Sequence, residues 1–181
     1  MASKQADQQS NQDNPTTGHK CRQATVVSAY YRGEARIQIA CPPAQVYALV
    51  ADVTRMGEWS PECYRCEWLG GATRPQVGAS FRGHNQWGEM RWARTATITV
   101  AAPGEEFAFT TSSEPEFPDS TDWCYRFEAR DGGTLVTESC VVTENQWPPD
   151  MQAMIEDHGR GTQQRMQQTL ERLKTAAETR R

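Results

Sequence analysis

The order of its segments constrains this chain more than any single motif. A short strand and two short helices (34–57) come first. Six strand-like segments follow between 60 and 143, rich in Trp, Phe, Tyr and Thr, and one long helix (about 150–178) comes last. A long antiparallel run with a single terminal helix leaves that helix one place to bury its apolar stripe, across the concave face of the sheet. A curved sheet that grips one helix encloses space, so the order alone directs attention to a small molecule held inside.

Local patterns place the elements. Residues 34–40 (EARIQIA) alternate as strand one and stop at Cys41-Pro42-Pro43. Residues 44–50 form a helix, with Pro43 in its first turn. Asp52 is placed to cap a second short helix over 53–57, with Gly57 as its stop. Strands are expected at about 62–69, 78–85, 90–101, 106–111, 122–129 and 134–143, with a proline-containing loop at 112–121. The last helix is expected to start at Asp150 as N-cap. Its stripe, at spacings of 3 and 4, is Met151, Met154, Ile155, His158, Thr162, Arg165, Met166, Thr169, Leu170 and Leu173. Gly159 and Gly161 interrupt it at a cost of about 2 kcal/mol against alanine, which a kink or a close approach to a ligand would explain.

Composition removes several function classes. The 181-residue chain carries a net charge of −4, which argues against nucleic acid as a partner, since phosphate binding needs a basic face. Residues 1–24 are Gln-, Asn- and Asp-rich without apolar period and read as a disordered tail, leaving 25–178 as one ligand-binding domain. They hold no apolar core of a secretion signal, and no stretch approaches the roughly 18 apolar residues of a membrane span. A cytoplasmic protein without membrane insertion, monomeric or homodimeric, is expected. Six cysteines include the pair Cys63 and Cys66. In a regular strand an offset of three puts two side chains on opposite faces, so this pair is expected neither to bridge nor to share a metal. No second pair completes a metal site, and no metal or cofactor is expected.

Several stretches together resemble the START-like helix-grip superfamily (SRPBCC), in its polyketide cyclase/dehydrase and lipid-transport branch. They are PPAQVYALVADVTRMGEWSPEC (42–63), EWLGGATRPQVGASFRGHN (67–85), PGEEFAF (103–109), WCYRF (123–127), DGGTLVTES (131–139) and QQTLERLKTAAE (167–178). The resemblance implies an α+β helix-grip fold: a seven-stranded antiparallel curved sheet around a long C-terminal helix, with two short helices after strand one. It implies a hydrophobic ligand, aromatic or polyketide-like, in a deep internal cavity. A cofactor-free cyclase or dehydratase acting on a biosynthetic intermediate is one function it implies, and a non-catalytic carrier or sensor of a lipid or hydrophobic metabolite is the other. The superfamily has no universal catalytic residue, so none is carried over.

Alternation then proposes the cavity wall. Large apolar side chains select an inner face of Trp68, Phe81, Trp92, Phe107, Phe109, Trp123 and Phe127, with Tyr64 on the same face of strand two and Met154 and Thr162 on the helix. The polar candidates for acid–base or hydrogen-bonding work are His158, Glu138, Arg94, Tyr125 and Asn85. His158 lies on the apolar stripe, where it is either an acid–base group or a core histidine bonded to the sheet. Arg94 is expected to point inward near Trp92. Strand seven has two possible inner faces, Val136/Glu138/Cys140/Val142 or Leu135/Thr137/Ser139/Val141. If Glu138 points inward, its pKa is raised and Arg94 is a possible partner. His84, opposite Phe81, is expected in solvent. Trp87 and the loop 112–121 are expected at the cavity mouth.

Overall fold

The structure is a computed structural model that describes residues 31–145 and 147–179. The expected tail, Cys21 and any extension of the first strand before Tyr31 lie outside these residues.

Seven strands form one antiparallel sheet: β1 (Tyr31–Ile39), β2 (Cys63–Trp68), β3 (Ser80–Trp87), β4 (Met90–Ala102), β5 (Glu106–Thr111), β6 (Asp119–Arg130) and β7 (Gly133–Asn145). Their spatial order is β1-β7-β6-β5-β4-β3-β2. From β2 to β7 every connection is a hairpin between neighbours. The β1–β2 connection must instead travel from one edge of the sheet to the other. Helix α1 (Pro43–Ala51) and a 3-10 helix (Val53–Glu58) make that crossing and close one end of the concave face. Tyr47 of α1 packs edge-on against Phe107 and Phe127, centroids 6.3 and 5.8 Å away. The β6–β7 hairpin turns on Asp131 (φ 48°) and Gly132 (φ 73°), the left-handed pair a two-residue turn of this hand requires.

Helix α2 (Gln152–Glu178) lies across the concave face. Its C-terminal half is anchored: Leu170 and Leu173 are wholly buried, each contributing about 2 kcal/mol of apolar burial. Lys174 donates to the Gln38 carbonyl at 2.7 Å, and the Ala40 amide donates to Glu178 at 2.8 Å. In the N-terminal half, Met151, Met154 and Ile155 are only half-buried, because the sheet has curved away beneath them and left open space.

Several local expectations change. The helix begins at Gln152 after Met151, with no side-chain cap, so Asp150 does not cap it. Asp52 does stand at the N-cap position of the 3-10 helix, but its carboxylate accepts from the Thr54 hydroxyl rather than from a backbone amide. Gly57 does not stop that helix, which continues to Glu58. It is glycine because a β-carbon there would run into the Tyr64 carbonyl.

Candidate functional site

The space under the first half of α2 divides into two connected chambers. The outer one, about 330 Å³, is walled by Trp87, Trp92, Phe117, Trp123, Met154 and Ile155 among others. The inner one, about 210 Å³, reaches Phe81, Asn85, Phe109, Tyr125 and Glu138. Trp92, Arg94, Asp119, Thr121, Trp123, His158 and Thr162 border both. A mainly apolar hollow with a few convergent polar groups is the usual form of a small-molecule site.

His158 stands where the chambers meet. Its Nε2 lies 2.7 Å from Oε1 of Glu62, and the other Glu62 oxygen meets Arg165 Nε at 3.0 Å. Arg165 turns back along the helix to donate to the His158 carbonyl at 2.6 Å. Trp87 and Trp92 make T-shaped contacts with the imidazole, centroids 5.2 and 6.0 Å away. The histidine is thus held by a carboxylate that is itself held by a guanidinium, the arrangement that fixes an imidazole's tautomer and orientation. Gly161 is explained by the same cluster: a side chain there would collide with the folded-back Arg165 guanidinium. Gly159 borders the outer chamber and a β-carbon there would meet nothing, so neither glycine marks a break in α2.

Glu138 is the second polar centre. β7 turns its Val136–Glu138–Cys140 face inward, and Glu138 is 2% exposed. Its Oε1 accepts the Tyr125 hydroxyl at 2.6 Å, while Oε2 has no hydrogen-bond partner among the described residues. Burial pushes this carboxyl up to about 8, with the Tyr125 bond acting the other way. The Tyr125 phenol is raised well above its usual range by burial and by Glu138. Burial therefore favours the protonated form of Glu138, the form that has an O–H to donate inside the inner chamber.

Arg94 does border the chambers beside Trp92, but it is not the partner of Glu138. Its guanidinium donates to the Asp119 carboxylate at 2.8 Å, the Asp119 carbonyl at 2.8 Å and the Ser112 carbonyl at 2.9 Å, with Phe117 5.3 Å away. It ties down the segment over the outer chamber, because that segment supplies an acceptor for each of its outer nitrogens. Asn85 faces the inner chamber with a long 3.5 Å contact to the Gly83 carbonyl.

Of the expected wall residues, Phe81, Trp92, Phe109, Trp123, Met154 and Thr162 line one or both chambers. So do Trp87 and residues 116, 117 and 119 of the expected mouth. Phe107 and Phe127 lie deeper, in the core against Tyr47, and Trp68 packs edge-on against Phe81 behind the wall. Tyr64 points out, 52% exposed. A β-bulge is the cause: on β3 the partners of Cys63 and Arg65 are Asn85 and His84, so β2 carries one extra residue and Tyr64 is turned outward. The same bulge overturns the expectation that Cys63 and Cys66 lie on opposite faces. Their β3 partners, Asn85 and Gly83, are two apart and share a face, and the two sulfurs stand 3.4 Å from each other, both buried. His84 is not in open solvent but half-buried on the outer face, 3.0 Å from Glu67.

Glu62 and Arg165 were not among the expected site residues. Arg165 had a signal, a cation on an apolar stripe one turn after a helix glycine. Glu62 had none, because its histidine is 96 positions away. No group of three or more His, Cys, Asp or Glu side chains among the described residues could hold a metal ion. No described helix is long and apolar enough to cross a membrane.

A curved antiparallel sheet gripping one helix around an internal chamber defines a helix-grip ligand-cavity protein. The chain belongs to the polyketide cyclase/dehydrase and lipid transport family, whose model matches residues 31–178. Among solved structures it is similar to a polyketide-cyclase-like protein of Corynebacterium glutamicum, at 31% identity over 81% of this chain and 91% of that one, TM-score 0.55. The Zhui aromatase/cyclase of a Streptomyces species shares the fold at 16% identity, over 82% of this chain and 94% of that one, TM-score 0.65. So does a Thermus thermophilus protein, TTHA0849, at 16% identity, 82% and 97% coverage and TM-score 0.63. No curated protein matches the chain in sequence.

Proposed function

We propose that the chain is a cofactor-free cyclase or dehydratase acting on an apolar, carbonyl-bearing substrate, aromatic or polyketide-like. The observation that carries this reading is the buried Glu138, its carboxyl pushed up by burial and its Oε2 without a hydrogen-bond partner among the described residues, bordering the same inner chamber as the His158–Glu62 pair. The apolar body of the substrate occupies the outer chamber, and its oxygenated end reaches the inner one. With Nε2 engaged by Glu62, Nδ1 of His158 is left to accept the proton α to a carbonyl. Glu138 passes its own proton to the carbonyl oxygen, so an enol forms with the charge of neither step left exposed. The enol carbon then attacks a second carbonyl, whose oxygen takes the proton held by His158, and closes a ring, or the β-hydroxyl takes that proton and leaves as water to give the alkene. In both, the enol O–H proton returns to Glu138 as the carbonyl re-forms. The wall holds the chain in the reactive fold, which is where much of the rate would come from.

The test is turnover of a panel of poly-β-keto thioesters and β-hydroxy ketones, followed by mass spectrometry, with binding measured separately by tryptophan quenching. His158→Gln and Glu138→Gln should each lower turnover by about 100-fold or more while leaving binding within a few-fold. The carrier reading, which the apolar outer chamber favours, takes over if the wild type binds these compounds without converting any of them.

A further inference from the structure

The CxxC pair on β2 is a chemical feature the acid–base reading does not use. The bulge sets the Cys63 and Cys66 sulfurs 3.4 Å apart on one face. Cys63 borders the inner chamber. Cys66 stands behind it, its sulfur 3.8 Å from the Met56 thioether. Gly83, the β3 partner of Cys66, also borders the chamber, and a β-carbon there would touch both sulfurs, 3.4 and 3.5 Å away. The glycine therefore leaves no side chain between the chamber and the Cys63 sulfur on that side. The two thiols also differ: the hydrogen bond with Cys66 lowers the Cys63 pKa, and the same contact together with burial raises that of Cys66. A thiol of lowered pKa that borders a chamber, with a second one set behind it, has the layout of an attacking and a resolving cysteine.

We propose that Cys63 and Cys66 form a reversible dithiol–disulfide pair, oxidised by small-molecule disulfides that enter through the inner chamber. The Cys63 thiolate attacks one sulfur of the reagent, RSSR, forming a mixed disulfide and releasing one RS⁻. The Cys66 thiolate then attacks the Cys63 sulfur and displaces the second RS⁻. The protein loses two electrons and two protons, and RSSR is reduced to two RSH. Closing the link brings the sulfurs to about 2.05 Å. The movement falls beside Glu62, the carboxylate that holds His158 and Arg165, so the oxidation state of the pair reaches the acid–base site.

The experiment exposes the folded full-length protein to excess bis(2-hydroxyethyl) disulfide, quenches with acid, then unfolds, alkylates and digests with trypsin. Cleavage after Arg65 separates the two cysteines, so an oxidised pair holds two peptides together until it is reduced. The expected result is that linked pair, with loss of the Cys63 and Cys66 thiols, while Cys41, Cys124 and Cys140 still take the alkylating agent; Cys21 lies on a separate tryptic peptide and is scored apart. In Cys66→Ser the reagent should remain as a stable adduct on Cys63, and in Cys63→Ser Cys66 should stay unmodified. The proposal is overturned if both thiols of the folded wild type are still alkylated after exposures that link them in the unfolded chain. It is equally overturned if Cys66 reacts as readily without Cys63 as Cys63 does without Cys66. The wild-type readout stands alone should either variant fail to fold.

Discussion

At the scale of the residue, Glu138 makes the sharpest demand. In the unfolded chain a carboxyl like this ionises near 4.5, whereas in the fold it keeps its proton to about 8. Between those values the folded state holds the extra proton. Its stability is therefore full below pH 4.5, declines as pH rises and levels off above about 8. The decline is at most about 1.4 kcal/mol per pH unit, a few kcal/mol in all. Glu138→Gln removes the proton and with it the slope. Its Tm should lie close to that of the wild type at pH 5 and above it at pH 8, measured by calorimetry. Activity that uses Glu138 as the acid should likewise fall above pH about 8. A Tm difference that does not change with pH would remove Glu138 from both accounts. Alternation in β7 leaves two faces open, and what separates them is contact with the Tyr125 hydroxyl on the neighbouring strand, which no single-strand pattern contains.

At the scale of the element, β2 shows where reading by alternation stops. Register also shifts between Ile98 and Val100 in β4 and between Ser120 and Thr121 in β6, but it is in β2 that one extra residue, at Tyr64, reverses the face of candidate site residues. The faces expected for Tyr64 and for Cys63 against Cys66 fail for that single reason. The one visible hint is Gly57, whose lack of a side chain lets the 3-10 helix rest on the Tyr64 carbonyl. Gly57→Ala should force the two apart and destabilise the protein by about 1–3 kcal/mol, seen as a lower denaturant midpoint with an unchanged m-value. A glycine with open space beside it, such as Gly159, should tolerate alanine with no loss, since helix propensity favours it and nothing stands nearby. The strand ends and the start of α2 lie up to three residues from where local composition puts them. Hydrogen bonding to neighbours decides where pairing ends.

At the scale of the whole molecule, the architecture is legible because it depends on segment order and on one apolar stripe, both of which survive errors of a few residues. The chamber is legible only in outline. Phe107 and Phe127 have the pattern of wall residues, but α1 brings Tyr47 down on them, and the position of a crossing helix is not written in any strand. The acid–base cluster is the least legible part, since Glu62, His158 and Arg165 meet only after the sheet has closed.

Helix α2 is continuous from Gln152 to Glu178, yet its two halves rest on different things, core and β1 at one end and a hollow at the other. Its amides should therefore not exchange with solvent as one unit. Hydrogen–deuterium exchange should show the 166–177 segment opening only with global unfolding, and 152–162 opening at far lower free energy. An occupant of the chamber would supply the missing neighbours and slow exchange in the first segment alone. Uniform protection along the helix in the empty protein would mean that the hollow is already closed to solvent. A graded helix of this kind makes entry of a bulky guest a matter of partial unwinding, so that the rate of uptake would follow the stability of a few turns rather than the width of a door.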